Sequence, residues 1–246
     1  MIAGASLLAP AAGVAQTLSA ADLTAEVASY RAYKPADAFS PPFDESSFIG
    51  KAFRIERPIR SGDSTGPAGE AMGFWTYNPR TQELRLVADT SRPWRTSGLP
   101  GAGNGVESIE GFPFLDKETA RRSFVGKNGY GATFDVSEVH FYSEAVAEFS
   151  STYESSLPKP ANFSYEVTLT RAPDEARRLS QSARVVIEGR VVPYLPSEAI
   201  VCIADFDAAT MDEPIEAHTQ TCLISAEISR VAIEDSATGQ VLAEWR

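Results

Sequence analysis

FSYEVTLT, residues 163–170, is the stretch whose pattern decides the fold class. Apolar and polar side chains alternate along it, and a spacing of two is typical of a β-strand with one buried face. We expect Phe163, Tyr165, Val167 and Leu169 to point into a core and the intervening polar residues to face solvent. Such a strand needs a second apolar surface to cover it, which favours two packed layers.

The same period of two recurs on both sides of this stretch. Residues 73–89 predict a hairpin whose turn is Asn78-Pro79-Arg80-Thr81-Gln82, and residues 228–245 predict another that turns at 236–239. Residues 131–149 are expected to form a pair of strands. The predicted fold is therefore mainly β, a β-rich α+β protein with an antiparallel β-sandwich-like body and two or three short helices.

Three segments carry helical signals. Residues 21–33 place apolar side chains at helical spacing after Asp22, which is the expected N-cap, and the helix should end before Lys34-Pro35. A second short helix is predicted to begin at Asp116. A third is predicted to begin at Pro173, since proline and acidic residues are favoured in a first turn.

The chain divides into three parts by composition. Residues 1–15 are uncharged and end in small residues suited to signal-peptidase cleavage before Gln16, although they contain no basic n-region. Residues 16–47 are predicted to form the first helix and a Pro/Ser-rich linker, and residues 48–246 the β-rich body. A division of the body into 48–155 and 156–246 is the alternative. No stretch has the roughly 18 uncharged residues of a membrane span, so no transmembrane segment is expected.

The two cysteines predict a disulfide. Cys202 lies in IVCIADF, residues 200–206, and Cys222 in CLISAEI, residues 222–228, and each is on the apolar face of a predicted strand. A bridge between neighbouring strands is typical of proteins in an oxidising compartment. The alternative is two buried free thiols. With the signal-like start, the bridge leads us to expect a periplasmic or secreted protein.

The charge of the chain excludes one class of partner. It carries 22 basic and 33 acidic side chains, a formal net charge of −11. Binding to a phosphate backbone requires a concentrated Lys/Arg surface, so nucleic acid is not expected as a partner.

Sequence motifs for catalysis and nucleotide binding are weak. Gly62-Asp63-Ser64-Thr65-Gly66 matches G-x-S-x-G, but proline and glycine follow where a hydrolase needs a helix, so a turn is expected. Both histidines, His140 and His218, come after Ser64, unlike the order in chymotrypsin-like proteases. The glycine-rich run at 98–105 lacks the G-K-[ST] of a phosphate-binding loop and belongs to a long surface loop predicted for residues 91–111.

The acidic segment between the cysteines is the place to look for a hard cation. Asp205, Asp207 and Asp212 are weak candidates for calcium ligands, but their spacing is not that of an EF-hand, and no cofactor is expected. His140, next to Glu138 on a predicted strand, is a candidate base or ligand, and an ordinary sheet histidine is the favoured interpretation.

Two functional hypotheses remain. The favoured one is a non-enzymatic exported binding or accessory protein, periplasmic or envelope-associated, whose partner is an envelope protein or a glycan. The alternative is a carboxylate-dependent hydrolase of cell-wall or carbohydrate substrates, which would require a concave pocket and an acid of raised pKa. Aromatic residues suit a sugar platform but suit a core better; these are Trp75, Tyr77, Trp94, Phe112, Phe114, Tyr130 and Tyr142.

Overall fold

The computed structural model describes residues 17–37, 39–64, 69–89, 94–95, 108–127, 129–149 and 164–246. Strands dominate this part of the chain, which contains two helices and two sheets, so the predicted mainly β, α+β class is confirmed. No helix among these residues is long and apolar enough to cross a membrane. The predicted signal peptide lies outside the described residues, as does most of the predicted 91–111 loop.

In chain order the elements are α1 (Ala20–Ala32), β1 (Ala52–Pro58), β2 (Arg60–Ser61), β3 (Phe74–Asn78), β4 (Glu83–Asp89), β5 (Trp94–Arg95), β6 (Ser108–Lys127), β7 (Thr133–Glu148), β8 (Ser164–Thr170), α2 (Pro173–Ser182), β9 (Ala183–Val191), β10 (Ile200–Asp207), β11 (Ile215–Asp235) and β12 (Gln240–Trp245).

Strand β11 organises the larger sheet, which has eight strands in the described part of the chain. Its first half pairs with β10 on one side and, in parallel, with β7 on the other. Its second half pairs antiparallel with β9 and β12, and β1 and β6 extend the sheet beyond β9 and β7. Strands from residues 48–155 and from residues 156–246 therefore lie side by side in one sheet.

The smaller sheet, β2-β3-β4-β8, covers one face of the larger one. Leu84 and Leu86 of β4 share a buried core with Ile55 of β1 and Ile187 of β9, which gives the sandwich-like arrangement. Tyr165, Val167 and Leu169 of β8 pack on this core as predicted, whereas Phe163 lies outside the described residues. A second, smaller cluster of buried side chains contains Ala145, Ala147, Phe149, Val201 and Leu223.

Helix α1 confirms a predicted helix but corrects its cap. Ser19, not Asp22, is the N-cap, and the helix begins at Ala20. Asp22 occupies the third helical position and its carboxylate accepts the Ser19 backbone N–H at 2.7 Å, which completes a capping box. Leu23 and Val27 are fully buried, so this helix packs against the β-rich body.

The helix predicted from Asp116 is wrong, because those residues belong to β6. The segment contains good helix formers, yet its backbone pairs with β7 from Asp116↔Ser143 to Lys127↔Thr133. Cross-strand contacts outweigh helix propensity, which is only a weak preference. The strand pair predicted for residues 131–149 is likewise a single long strand, β7, since no turn-forming glycine, proline or asparagine interrupts Thr133–Glu148.

Both predicted hairpins and the third predicted helix are confirmed. β3 and β4 form the first hairpin, β11 and β12 form the last, and α2 begins at Pro173. The loop predicted for residues 91–111 is wrong where the structure describes it, because residues 94–95 form β5 and residues 108–111 begin β6, and the backbones of these two strands pair with each other.

The predicted disulfide between Cys202 and Cys222 is present. The two residues are direct partners in the antiparallel β10–β11 ladder. Cys222 is fully buried in the core, and Cys202 packs at its edge. No thiol remains to act as a nucleophile, because the chain has only these two cysteines.

Candidate functional site

Two short polar ladders meet where β7 and β11 run side by side. The parallel register places Glu216 beside Glu138 and His218 beside His140. Residues two apart on a strand share a face, so all four side chains lie on one face of the sheet. The imidazole rings stack, with centroids 4.6 Å apart and planes inclined by 7°.

Each of the two carboxylates contacts an imidazole nitrogen. Glu138 Oε1 lies 2.7 Å from His140 Nε2 and 3.9 Å from His218 Nε2. Glu216 Oε1 lies 3.1 Å from His218 Nε2. Glu138 is buried, at 4% exposure, whereas the two histidine side chains are 40% and 38% exposed. The cluster therefore has a buried carboxylate, Glu138, and two histidines that solvent can reach.

A third strand fixes the buried carboxylate. Arg122 of β6 donates from Nε to Glu138 Oε2 at 2.5 Å, opposite the oxygen that contacts the histidines. The hydrogen bond from Arg122, followed by the one from His140, lowers the pKa of Glu138 below its ordinary value. Glu138 is thus held as a carboxylate with one oxygen aimed at both rings.

The histidines also line an open groove of about 620 Å³. Its lining includes Arg31 from the end of α1, Lys117 of β6, Tyr142 of β7, and Phe206 of β10. The Phe206 ring contacts His218, with centroids 4.8 Å apart. Polar groups around these residues belong to Thr119, Asp205, Thr219 and Gln220.

Tyr142 orders the cationic side of this groove. The Arg31 guanidinium lies 4.4 Å from the centre of the tyrosine ring and the Lys117 ammonium 5.4 Å from it. The tyrosine hydroxyl donates to Glu144 Oε1 at 2.7 Å, and Thr24 donates to the other oxygen at 2.6 Å. Burial and this carboxylate raise the pKa of Tyr142 to about 12.

A second pocket, of about 520 Å³, lies beside the first and contains two carboxylates, Glu45 and Glu198. Glu45 is buried, and its Oε2 accepts the backbone N–H of Ala199 at 2.6 Å and of Ile200 at 3.0 Å. Burial raises the pKa of Glu45, against the lowering effect of these two bonds.

The sequence-derived candidates fall in different places. Asp205 and Asp207 are exposed on β10, and Asp212 is exposed in the segment that follows. Among the described residues, one group of possible metal ligands lies close enough together to hold an ion, and it consists of Glu138, His140 and His218. None of the three aspartates belongs to this group. The calcium hypothesis stays an untested prediction. Ser64 is exposed next to a tight turn, and its motif continues outside the described residues.

The aromatic candidates divide between core and surface. Phe112, Phe114 and Tyr142 are buried, and Trp75 and Tyr77 pack against the core. Tyr130 is exposed, and the side chain of Trp94 is outside the described part. Only Tyr142 among them contributes to the groove described above.

The two histidines were not predicted to lie together, although the sequence contains a pattern that points to it. E-x-H occurs twice, as Glu138-Val139-His140 and Glu216-Ala217-His218, and it contains both histidines of the chain. In a strand this spacing puts the acid and the imidazole on one face. Arg31, Lys117 and Gln220 carry no comparable pattern, because their proximity depends on how α1 crosses the sheet.

Comparison with known proteins adds no identification, and the geometry above is the basis for interpreting function. No protein-family model matches this chain, and no curated protein or solved structure matches it either.

Proposed function

We propose that this chain is a non-enzymatic exported binding protein whose groove over Tyr142 binds a carboxylate-bearing glycan of the cell envelope. The observation that supports the ligand class is the pair of cations, Arg31 and Lys117, held over the Tyr142 ring. Among the described residues neither cation forms a salt bridge, whereas other cations such as Arg54 and Arg230 bind several carboxylates each.

The groove suits an extended polar ligand. It is open to solvent, and its hydroxyl and amide groups can bond to sugar hydroxyls. Packing on Tyr142 limits the motion of the two long cationic side chains before a ligand arrives, which lowers the entropic cost of binding a carboxylate. On a chain of net charge −11, these two cations make the side of the groove over Tyr142 locally positive, which favours an acidic ligand there.

Both cysteines are oxidised to the disulfide, so the part of the chain that the structure describes offers no thiol nucleophile, which supports a binding role. The disulfide and the signal-like residues 1–15 support export.

The double variant Arg31→Gln/Lys117→Gln is expected to weaken binding of oligogalacturonate by about tenfold or more, because two charge-assisted contacts are lost. Isothermal titration with EDTA present would measure this, and raising the salt concentration should weaken binding by the wild type. The matched control is Arg80→Gln/Arg177→Gln, which removes two exposed arginines elsewhere. Equal binding of an uncharged oligosaccharide, or an unaffected double variant, would refute the ligand assignment.

The hydrolase alternative has one observation in its favour, the buried Glu45 of raised pKa beside Glu198 in a pocket. However, the raised-pKa carboxyl already accepts two backbone N–H groups at the start of β10, which is a structural task.

Glu45→Gln separates the two functions. The amide oxygen can accept the same two N–H groups, so we expect the free energy of unfolding to change by no more than about 1 kcal/mol. The binding hypothesis expects neither protein to release reducing ends from peptidoglycan or acidic polysaccharides. Release by the wild type that disappears in Glu45→Gln would favour the hydrolase instead.

A further inference from the structure

We propose that Glu138, His140 and His218 bind a divalent transition-metal ion of the zinc type, with Glu216 as a fourth ligand. This inference goes beyond the proposed function and does not depend on it. It rests on the parallel β7–β11 register, which turns two separate E-x-H segments into one four-residue cluster.

The distances between ligand atoms suit a small ion. One ligand atom from each of Glu138, His140 and His218 can be chosen so that all three lie within 4.8 Å of one another. Bonds of about 2.1 Å in tetrahedral geometry separate zinc ligands by roughly 3.4 Å. The separations of 2.7 Å and 3.9 Å from Glu138 Oε1 to the two Nε2 atoms lie on either side of this value. To bind one ion, the two imidazoles would tilt out of their nearly parallel stack so that their lone pairs converge.

The surroundings hold the ligands in place. Arg122 binds the outer oxygen of Glu138, as groups behind a metal ligand commonly do to orient it. The strand register places His140 beside His218, and the Phe206 ring packs against His218. These contacts come from four strands, β6, β7, β10 and β11, so the ligands are carried by a sheet rather than by a loop.

Charge and ligand chemistry favour a zinc-type ion over calcium or magnesium. Two carboxylates and one guanidinium place a net formal charge of about −1 around the imidazoles, which a dication would reverse. Imidazole nitrogen is a ligand for zinc and related ions, whereas calcium and magnesium take oxygen ligands. The two histidine side chains are 40% and 38% exposed and line the groove, so an ion can reach them from solvent.

The test uses the full chain with a histidine-free purification tag, stripped of metal by chelator and titrated with zinc sulfate alone. We expect one equivalent to bind and to raise the Tm. Because the chain has only two histidines, imidazole NMR signals report on the site directly. Both sets of signals should shift together and saturate at one equivalent.

Variants then identify the ligands. His140→Ala and His218→Ala should each weaken zinc binding by more than about tenfold, and Glu216→Gln by less. The control Asp205→Asn/Asp207→Asn/Asp212→Asn removes the acidic candidates of the neighbouring segment and should leave zinc affinity unchanged. Calcium should shift neither imidazole.

Three results would overturn the proposal. They are zinc binding that survives loss of either histidine, zinc binding that is lost in the triple aspartate variant, and imidazole signals of the wild type that ignore zinc. The last readout needs no variant, so misfolding of a substituted protein cannot obscure it. Glycan binding is measured in EDTA, so failure of the metal site and failure of the glycan site are separate outcomes.

Discussion

Replacing both Cys202 and Cys222 with alanine is expected to lower the free energy of unfolding by about 3 kcal/mol, because the bridge closes a loop across a sequence separation of 20 residues. Among the described strands, β10 pairs with β11 alone and therefore lies at an edge of the sheet. The bridge therefore also holds this edge strand in place. Urea unfolding at constant pH would measure the loss. Hydrogen exchange should accelerate most at residues 203–207, the part of β10 within the loop that the bridge closes.

Wild-type protein in reductant is the matched comparison, since it loses the bond but keeps both sulfur atoms. Its stability should fall by a similar amount, and any larger loss in the alanine variant measures the packing of Cys222. An unchanged unfolding curve in both proteins would show that the bridge contributes nothing. Intact mass of protein taken from a periplasmic fraction, before and after alkylation, would show whether the bridge forms during export.

The local patterns of the sequence predict much of this fold. Alternation in residues 163–170 correctly indicated the buried face of β8, and the positions of Cys202 and Cys222 on apolar faces correctly indicated their pairing. Each of these signals is contained in one segment or in two similar strands. Sequence periodicity is most informative in such cases.

The errors arise where distant residues decide the outcome. The segment after Asp116 has helix-forming residues, yet it is a strand because β7 offers a full ladder of backbone partners. The cluster of His140 and His218 depends on a parallel pairing between segments far apart in the chain, in a sheet whose other strand pairs are mostly antiparallel. Neither E-x-H segment indicates by itself which strand will lie beside it.

The corner between α2 and the last hairpin depends on one buried aspartate. Asp235 is fully buried, and its carboxylate accepts bonds from Arg178 at 2.7 Å, from the Thr238 hydroxyl at 2.8 Å and from the Ala237 backbone N–H at 3.1 Å. Burial opposes ionisation of this group. Hydrogen bonds from Ser182, Arg178 and Thr238 outweigh burial and hold the pKa of Asp235 far below its ordinary value.

Asp235→Ala is therefore expected to cost about 3 kcal/mol, because several donors at a buried corner lose their acceptor. Asp174→Ala is the matched control, since that aspartate on α2 is 97% exposed and its loss should change stability by no more than about 0.5 kcal/mol. Urea unfolding at pH 7 compares the two variants. Equal effects would show that the buried corner does not stabilise the fold.

The pH dependence follows from the direction of the pKa shift. A carboxyl whose pKa is lower in the folded than in the unfolded protein stabilises the fold fully above the unfolded pKa, near 4, and loses that contribution as the pH falls below it. The stability difference between wild type and Asp235→Asn should therefore stay constant from pH 7 to about pH 5 and shrink progressively below pH 4. A difference that stayed constant down to pH 2.5 would mean that Asp235 stabilises the corner through its shape and hydrogen bonds, and that its charge contributes nothing.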